Sequence, residues 1–383
     1  MPVFRERYCT VLPPRHVYLH VPFCARRCSY CDFSIAVRRV VPVDEYLRAL
    51  EAEIRTRFGA RQPSEVETIY LGGGTPSRLG GEGVARALEL VQRQFRPTAG
   101  AEVTIEANPD DVTPDAARAW AASGVNRVSL GSQSFQTNVL EWMHRTHDGA
   151  TTVRAVGTLR DAGITNLSLD LIFALPESLR HNFESDVEQL LSLEPNHISL
   201  YGLTIETGTP LGRWVARGVT LEQPEEGYER DFLDAHRLLA DAGFEHYEVS
   251  NYARQGCRAR HNSAYWANVS YVGVGPAAHG FDGDERRWNA RHYADWVARA
   301  SAGEDPVEGS ERLTAENSVA EAVYLGLRTS DGLAIHPAEL PLVQSWIDAG
   351  WAELGKDGLL RCTPTGWLRL DALAVALTHH RSR

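Results

Sequence analysis

Tyr18-Leu19-His20-Val21-Pro22-Phe23-Cys24-Ala25-Arg26-Arg27-Cys28-Ser29-Tyr30-Cys31-Asp32-Phe33 is the stretch on which the reading of the fold turns. Val17–Val21 reads as a β-strand, and Pro22 closes it. Three cysteines follow at the spacing C-x3-C-x2-C, on a loop directly after that strand. Three thiolates on one short loop suit three irons of a [4Fe–4S] cube, which leaves the fourth iron open to a substrate or cofactor. A structural zinc would need a fourth Cys or His in range, and His20 sits on the strand. Thiols without a metal are the remaining alternative. Asp32 after Cys31 excludes the C-x-x-C-H pattern of covalent haem attachment.

Strand-like runs recur beyond this loop at Thr68–Leu71, Glu102–Glu106, Arg127–Leu130, Asn166–Phe173 and His197–Leu203. Between them, Leu47, Leu50, Ile54 and Phe58 form one helical face, and Val84, Leu88, Val91 and Phe95 another. Further helices are predicted over Pro114–Ser123 and Asn182–Leu193, with Thr113-Pro114 as N-cap and first-turn proline. Repeated strand–helix units imply a parallel sheet. A closed eight-fold barrel would need two more units. Glu245–Val249 and Tyr271–Val274 could be later strands, but their Gly/Asn-rich surroundings match regular units poorly. The expectation is an α/β fold, an open partial (β/α)6 barrel, with its chemistry at the C-terminal strand ends. Residues 1–240 are assigned to the barrel and cluster loop, 241–300 to a barrel-closing segment, and 301–383 to a small winged-helix-like α+β domain. Ser301–Ser310 is read as the linker. The last domain suits packing or dimerisation better than DNA recognition, because its helix around Pro341–Ala349 has no basic residue.

The chain has 383 residues, 43% hydrophobic and 23% charged, which excludes a disordered or fibrous class. No run approaches a membrane-spanning length, and MPVFRERYCT lacks the apolar core of a signal peptide, so a cytoplasmic protein is expected. A net charge of −11 argues against nucleic acid as a partner. Cys9, Cys257 and Cys362 complete a set of six cysteines whose clustering suits a reducing compartment rather than a disulfide framework.

Other candidate residues sit at predicted strand ends. Gly72-Gly73-Gly74-Thr75-Pro76 lets backbone approach a ligand closely. Glu106 is either a ligand-binding carboxylate or an ordinary strand-end acid. Gln133 follows the fourth strand, and Arg145 and His147 follow it in turn; an arginine there can pair with a carboxylate. Asp170, inside an apolar strand, is expensive unless paired, so it is expected to point into the barrel. Tyr247–Ala253 and His261-Asn262-Ser263-Ala264-Tyr265-Trp266 could cover a flat apolar ligand, with His261 as candidate axial ligand to haem. The same aromatics could simply close the barrel's open side.

Taken in order, YLHVPFCARRCSYCDF, YLGGGTPS, IEANPDD, RVSLGSQSF, DLIFALP, HISLYGLT, YEVSNYA and RHNSAYW resemble radical S-adenosylmethionine (SAM) proteins. Over about residues 17–280 the resemblance is to the oxygen-independent coproporphyrinogen III dehydrogenases and the related HemW-type haem chaperones. It implies that Cys24, Cys28 and Cys31 ligate a [4Fe–4S] cluster and that Tyr18, Tyr30, Gly73, Gly74, Thr75, Glu106, Gln133, Arg145 and Asp170 contact SAM. The dehydrogenase pattern has another cysteine where this chain has Phe33, and a longer N-terminal extension; only 23 residues precede Cys24 here. With the HNxxYW segment, these features favour the chaperone. The resemblance then implies haem binding, transfer to respiratory haem proteins at the inner membrane face, a peripheral position there, and a homodimer. It leaves open whether the protein is an enzyme. The rival activity is oxidative decarboxylation of two coproporphyrinogen III propionates, and a tRNA-modifying radical enzyme is a third reading that the acidic charge disfavours. The family's Leu-Gly-Arg-x-His reads Met143-His144-Arg145-Thr146-His147, Gly-Leu-Pro reads Ala174-Leu175-Pro176, and Gly-Ala-His-Ser reads Ala277-Ala278-His279-Gly280. These departures bear on local loop geometry.

Overall fold

The computed structural model describes residues 14–382; Cys9 and the N-terminal decapeptide lie outside them. Six parallel strands stand side by side in chain order: β1 His16–Val21, β2 Ser64–Gly73, β3 Phe95–Ala107, β4 Arg127–Gln133, β5 Asn166–Phe173 and β6 His197–Gly202. Helices α1 Val43–Phe58, α2 Gly80–Gln94, α3 Pro114–Ala122, α4 Thr137–Trp142, α5 Gly149–Asp161 and α6 Phe183–Ser192 fill the crossovers. Then come α7 Pro210–Ala216, α8 Glu225–Asp241, β7 Glu245–Glu248, β8 Asn251–Ala253, α9 Arg260–Trp266 and β9 Val272–Val274. β8 and β7 extend the β6 edge in antiparallel fashion, and β9 joins the β1 edge in parallel. The two uncertain runs are therefore strands of the same nine-stranded sheet, at opposite edges, and the barrel stays open between them.

Strands covered on both faces usually read as unbroken apolar runs. Here they alternate. Val17, Leu19, Ile69, Leu71, Val128 and Leu130 pack outward in the core that includes the helices. Their neighbours face a polar lumen, where Tyr70 bonds Glu106, Ser129 bonds Asp170, and Ser168 bonds His197. The α1 face of Leu47, Leu50, Ile54 and Phe58 is buried as its spacing requires. Phe95 differs from expectation: it starts β3 instead of ending α2, and its ring packs on Phe58 at 5.1 Å. The Thr113 hydroxyl caps α3 by accepting from Ala116 N at 3.2 Å.

Glu53 on α1 is fully buried, which no sequence pattern announced. Its carboxylate accepts from Gly275 N at 2.9 Å, Asn289 Nδ2 at 2.7 Å and Trp296 Nε1 at 2.8 Å, and pairs with Arg57 at 2.5 Å. That network ties the β9 edge to the first helix. The expected linker needs correcting. Ser301 ends α10 Tyr293–Ser301, and Val307–Arg312 is a strand in an antiparallel sheet with His279–Phe281 and Glu285–Asn289. The turn residues reverse the chain between that helix and strand and do not separate two bodies.

Beyond residue 313 come α11 Ala315–Arg328, α12 Leu340–Asp348, α13 Pro364–Trp367 and α14 Leu370–Arg381, with a three-stranded sheet of Leu333–Ala334, Leu359–Cys362 and Ala352–Leu354. This is the winged-helix-like arrangement the sequence predicted. Arg328 pairs with buried Glu248 at 3.0 Å, Arg258 pairs with Asp331 at 2.9 Å, and the Trp367 ring lies edge-on to His246 at 4.3 Å. One apolar cluster runs through barrel and C-terminal part alike.

Candidate functional site

The cysteine loop crosses the C-terminal mouth of the barrel because Phe23-Cys24 pairs with Ala36-Val37 in a short parallel ladder. Ser29 fastens its middle: its N–H donates to Met143 O at 3.1 Å, and its carbonyl accepts from Leu211 N at 2.8 Å. Arg27 donates to Cys31 O at 3.0 Å. Below the loop lies a cavity of about 440 Å³, lined by Cys24, Cys28, Cys31, Tyr30, Gly73, Gly74, Thr75, Glu106, Gln133, Arg145 and Asp170. Every strand end from β2 to β6 contributes to it.

The glycines are needed for packing as well as for access. A Cβ on Gly73, at φ +113°, would lie 2.6 Å from the His20 ring, and one on Gly74 would lie 2.6 Å from Pro22 O. Gly73 N donates to Glu106 at 3.1 Å, and the Tyr70 hydroxyl donates to the same carboxylate at 2.8 Å. Burial pushes the Glu106 carboxyl up to about 7, with neighbouring Asp170 adding to the rise. Burial also raises Asp170 to about 6, held back by hydrogen bonds from Ser199 and Ser129. Asp170 does point inward at a polar partner, Ser129 Oγ at 3.1 Å.

Arg145 is braced by Asn108 Oδ1 and Gly131 O, both at 2.7 Å, and its Nη1 reaches Cys28 Sγ at 3.6 Å. Cys24 Sγ sits 3.3 Å from Thr75 Oγ1. Burial raises the thiols of Cys24 and Cys31, the latter to about 11. A coordinated cation would reverse that preference. The three cysteines are free thiols. Among the described residues no three His, Cys, Asp or Glu side chains converge as a single ion would require. Cube-corner ligation asks instead for separate thiolates on one loop, which is what is present. Gln133 Oε1 and Arg145 Nε are buried with no hydrogen-bond partner. These orphaned groups at the cavity wall fit a polar ligand such as SAM beside the thiolates.

Two expected site residues lie elsewhere. Tyr18 does not line the cavity. Strand register puts it level with Tyr70, under Gly72, where its ring stacks at 6.1 Å on Tyr70. His261 is fully buried on α9, at the opposite mouth of the lumen. Its Nδ1 bonds Thr68 Oγ1 at 2.6 Å and its Nε2 bonds the Tyr265 hydroxyl at 2.8 Å. Burial lowers it to about 3. So placed, His261 has no free nitrogen for iron; it plugs the barrel's open side. His147 is likewise buried and bonded to Ser132 O at 3.1 Å. Residues the sequence reading passed over include Tyr201 and Ser129 on the cavity wall, and Arg127 beneath it.

The three departures from the family glycines share one geometry. His144, Ala174 and Ala277 all hold positive φ, at 59°, 58° and 57°. The loops keep the left-handed turn that glycine would adopt freely, so the backbone path survives the substitutions.

Comparison with known proteins places this architecture. Residues 18–190 match the Radical SAM superfamily model. Heme chaperone HemW of Mycobacterium tuberculosis (strain ATCC 25618 / H37Rv) is 39% identical over 376 residues, covering 95% of each chain. Heme chaperone HemW of Bacillus subtilis (strain 168) is 34% identical over 325 residues, 84% of this chain and 85% of its own. The solved structure of Escherichia coli coproporphyrinogen III oxidase, HemN, superposes with a TM-score of 0.81 at 22% identity, covering 94% of this chain and 89% of that one, and so shares the fold. Partial barrel, cysteine loop and mouth cavity together define a radical SAM protein. Within that class the chain belongs to the HemW family.

Proposed function

We propose that this protein is a haem chaperone, binding haem and passing it to respiratory haem proteins, with a [4Fe–4S] cluster and SAM held in the mouth cavity. The observation that carries the reading is Phe33. Where the dehydrogenase pattern has a cysteine, this chain puts an aromatic ring that is 62% exposed on the cavity rim. The near full-length similarity to proteins named as haem chaperones supports it. Exposed Phe33 and Tyr201 with Ile35 offer apolar surface to a flat macrocycle, and exposed Arg26 offers charge to its carboxylates.

Cys24, Cys28 and Cys31 would hold the cluster, which supplies an electron donor and an open iron for the amino and carboxylate groups of SAM. Arg145 places positive charge beside Cys28. Gln133 Oε1, Glu106 and Asp170 supply acceptors for the cofactor's N–H and O–H groups. Delivery at the inner membrane face, a peripheral position there and a homodimer belong to the same proposal. Among the described residues no helix is long and apolar enough to cross a membrane.

Haemin titration of the anaerobically reconstituted protein, read at the Soret band, tests the reading, with coproporphyrinogen III turnover assayed on the same sample. Stoichiometric haem binding without turnover is expected. Turnover to protoporphyrinogen without stable haem binding would overturn it in favour of the dehydrogenase.

A further inference from the structure

Arg127 opens β4 with its side chain only 2% exposed, among the largest fully buried side chains of the molecule. Among the described residues its side chain makes no ion pair or hydrogen bond, and its Nε is buried without a partner, as is Thr104 Oγ1 beside it in the sheet. A buried guanidinium with no counter-charge nearby is strongly destabilising. The register shows where its compensation lies. Arg127 pairs with Thr104, and two residues on, Ser129 pairs with Glu106 and bonds Asp170. The cation therefore sits one layer below the two cavity-wall carboxylates, inside the same lumen.

We infer that Arg127 is a positioning residue of the cofactor cavity, the buried counter-charge that favours the carboxylate forms of Glu106 and Asp170, which accept hydrogen bonds from a bound ligand. The other titratable groups facing it are Tyr70 on β2, His197 on β6, Tyr247 on β7 and His261 on α9, with Glu102 engaged by the α9 backbone. His197 and His261 are held neutral by burial, and burial raises both tyrosines, so Arg127 is the fixed positive charge among them. The two carboxylates also repel each other, and a nearby positive charge opposes both that repulsion and their desolvation. Arg145 also faces Asp170, but its hydrogen bonds go to Asn108, Gly131 and Cys28.

This inference rests on the reading that the cavity takes SAM. The test is SAM affinity of the cluster-reconstituted protein between pH 6 and 8.5, measured calorimetrically for wild type, Arg127→Met and Arg127→Lys. With Arg127→Met, affinity at pH 6.5 should fall about tenfold below wild type, the equivalent of one pKa unit, and the gap should close towards pH 8.5. Arg127→Lys should restore the wild-type profile. A uniform loss at every pH, or no change, in a variant with native circular dichroism would overturn the inference and leave Arg127 a packing residue. No SAM binding by wild type would overturn the cavity reading itself. Should Arg127→Met not fold, Arg127→Gln carries the same comparison.

Discussion

Ala174 shows what a single residue can reveal at the scale of one backbone dihedral. Sequence alone said that a family glycine had been replaced; φ of +58° says that the turn was kept at a cost. Left-handed conformation costs a non-glycine residue roughly 1–2 kcal/mol, while glycine loses about 0.4–1 kcal/mol through its freer unfolded chain. Ala174→Gly should therefore raise stability by about 0.5–1 kcal/mol, visible as a higher urea midpoint with an unchanged slope. At the cysteines, Cys24→Ser, Cys28→Ser and Cys31→Ser should each abolish stoichiometric cluster loading, read as iron and sulfide content after anaerobic reconstitution; full loading in any of them would remove that residue from the ligand set. Asp170 was legible because a charge in an apolar strand must be paired. Arg127 sends the same signal from RVSL, yet its meaning depends on the layer above it, which only the register supplies.

At the scale of elements, the parallel strands were legible from β-rich runs, and α1 and α3 from spacing and capping. The short edge strands were legible only as candidates at Glu245–Val249 and Tyr271–Val274, and Asn251–Ala253 not at all, because three or four residues carry too little periodicity and their pairing is long-range. α9 carried two readings in one dimension, an axial ligand at His261 or a plug for the barrel's open side, and the second fits, because both His261 nitrogens are engaged by Thr68 and Tyr265. His261→Ala should lower stability by about 2–3 kcal/mol in urea titration, since it removes two hydrogen bonds and empties a fully buried site, and should leave the proposed haem binding by the folded fraction intact. The cavity strand ends set a pH dependence of their own. Glu106 rises from 4.5 to about 7 on folding, so its stabilising contribution is complete below about 4.5 and is lost as pH climbs through 7. Cofactor-free Glu106→Gln should accordingly melt higher than wild type at pH 8 and close to it at pH 4.5. His261 works in the opposite sense. Depressed from 6.5 to about 3, it stabilises fully above 6.5 and loses that contribution as pH falls towards 3.

The whole molecule is more continuous than its sequence punctuation suggests. SAGEDPVEGS reads as a linker, yet its second half is a paired strand, and the C-terminal part shares ion pairs and an apolar core with the barrel. A chain ending at residue 313 would uncover buried Glu248 and the His246 ring. It should unfold at a lower temperature than the full chain, and not as an intact barrel with an unchanged midpoint. Loss of the buried Glu248–Arg328 pair alone leaves a charge uncompensated.

The alternation of the strands has a consequence for inheritance. Along β1 the odd positions Val17, Leu19 and Val21 answer to the helices, while the even positions Tyr18 and His20 answer to the lumen; along β4 the parity reverses, with Arg127 and Ser129 inside. Two selections thus act on interleaved letters of the same word. In a saturation-mutagenesis census of this chain, abundance in the cell and the proposed haem delivery should separate by residue parity within each strand. The frame should shift by one between β1 and β4, so that a reader given only the two fitness columns could reconstruct which way every strand faces.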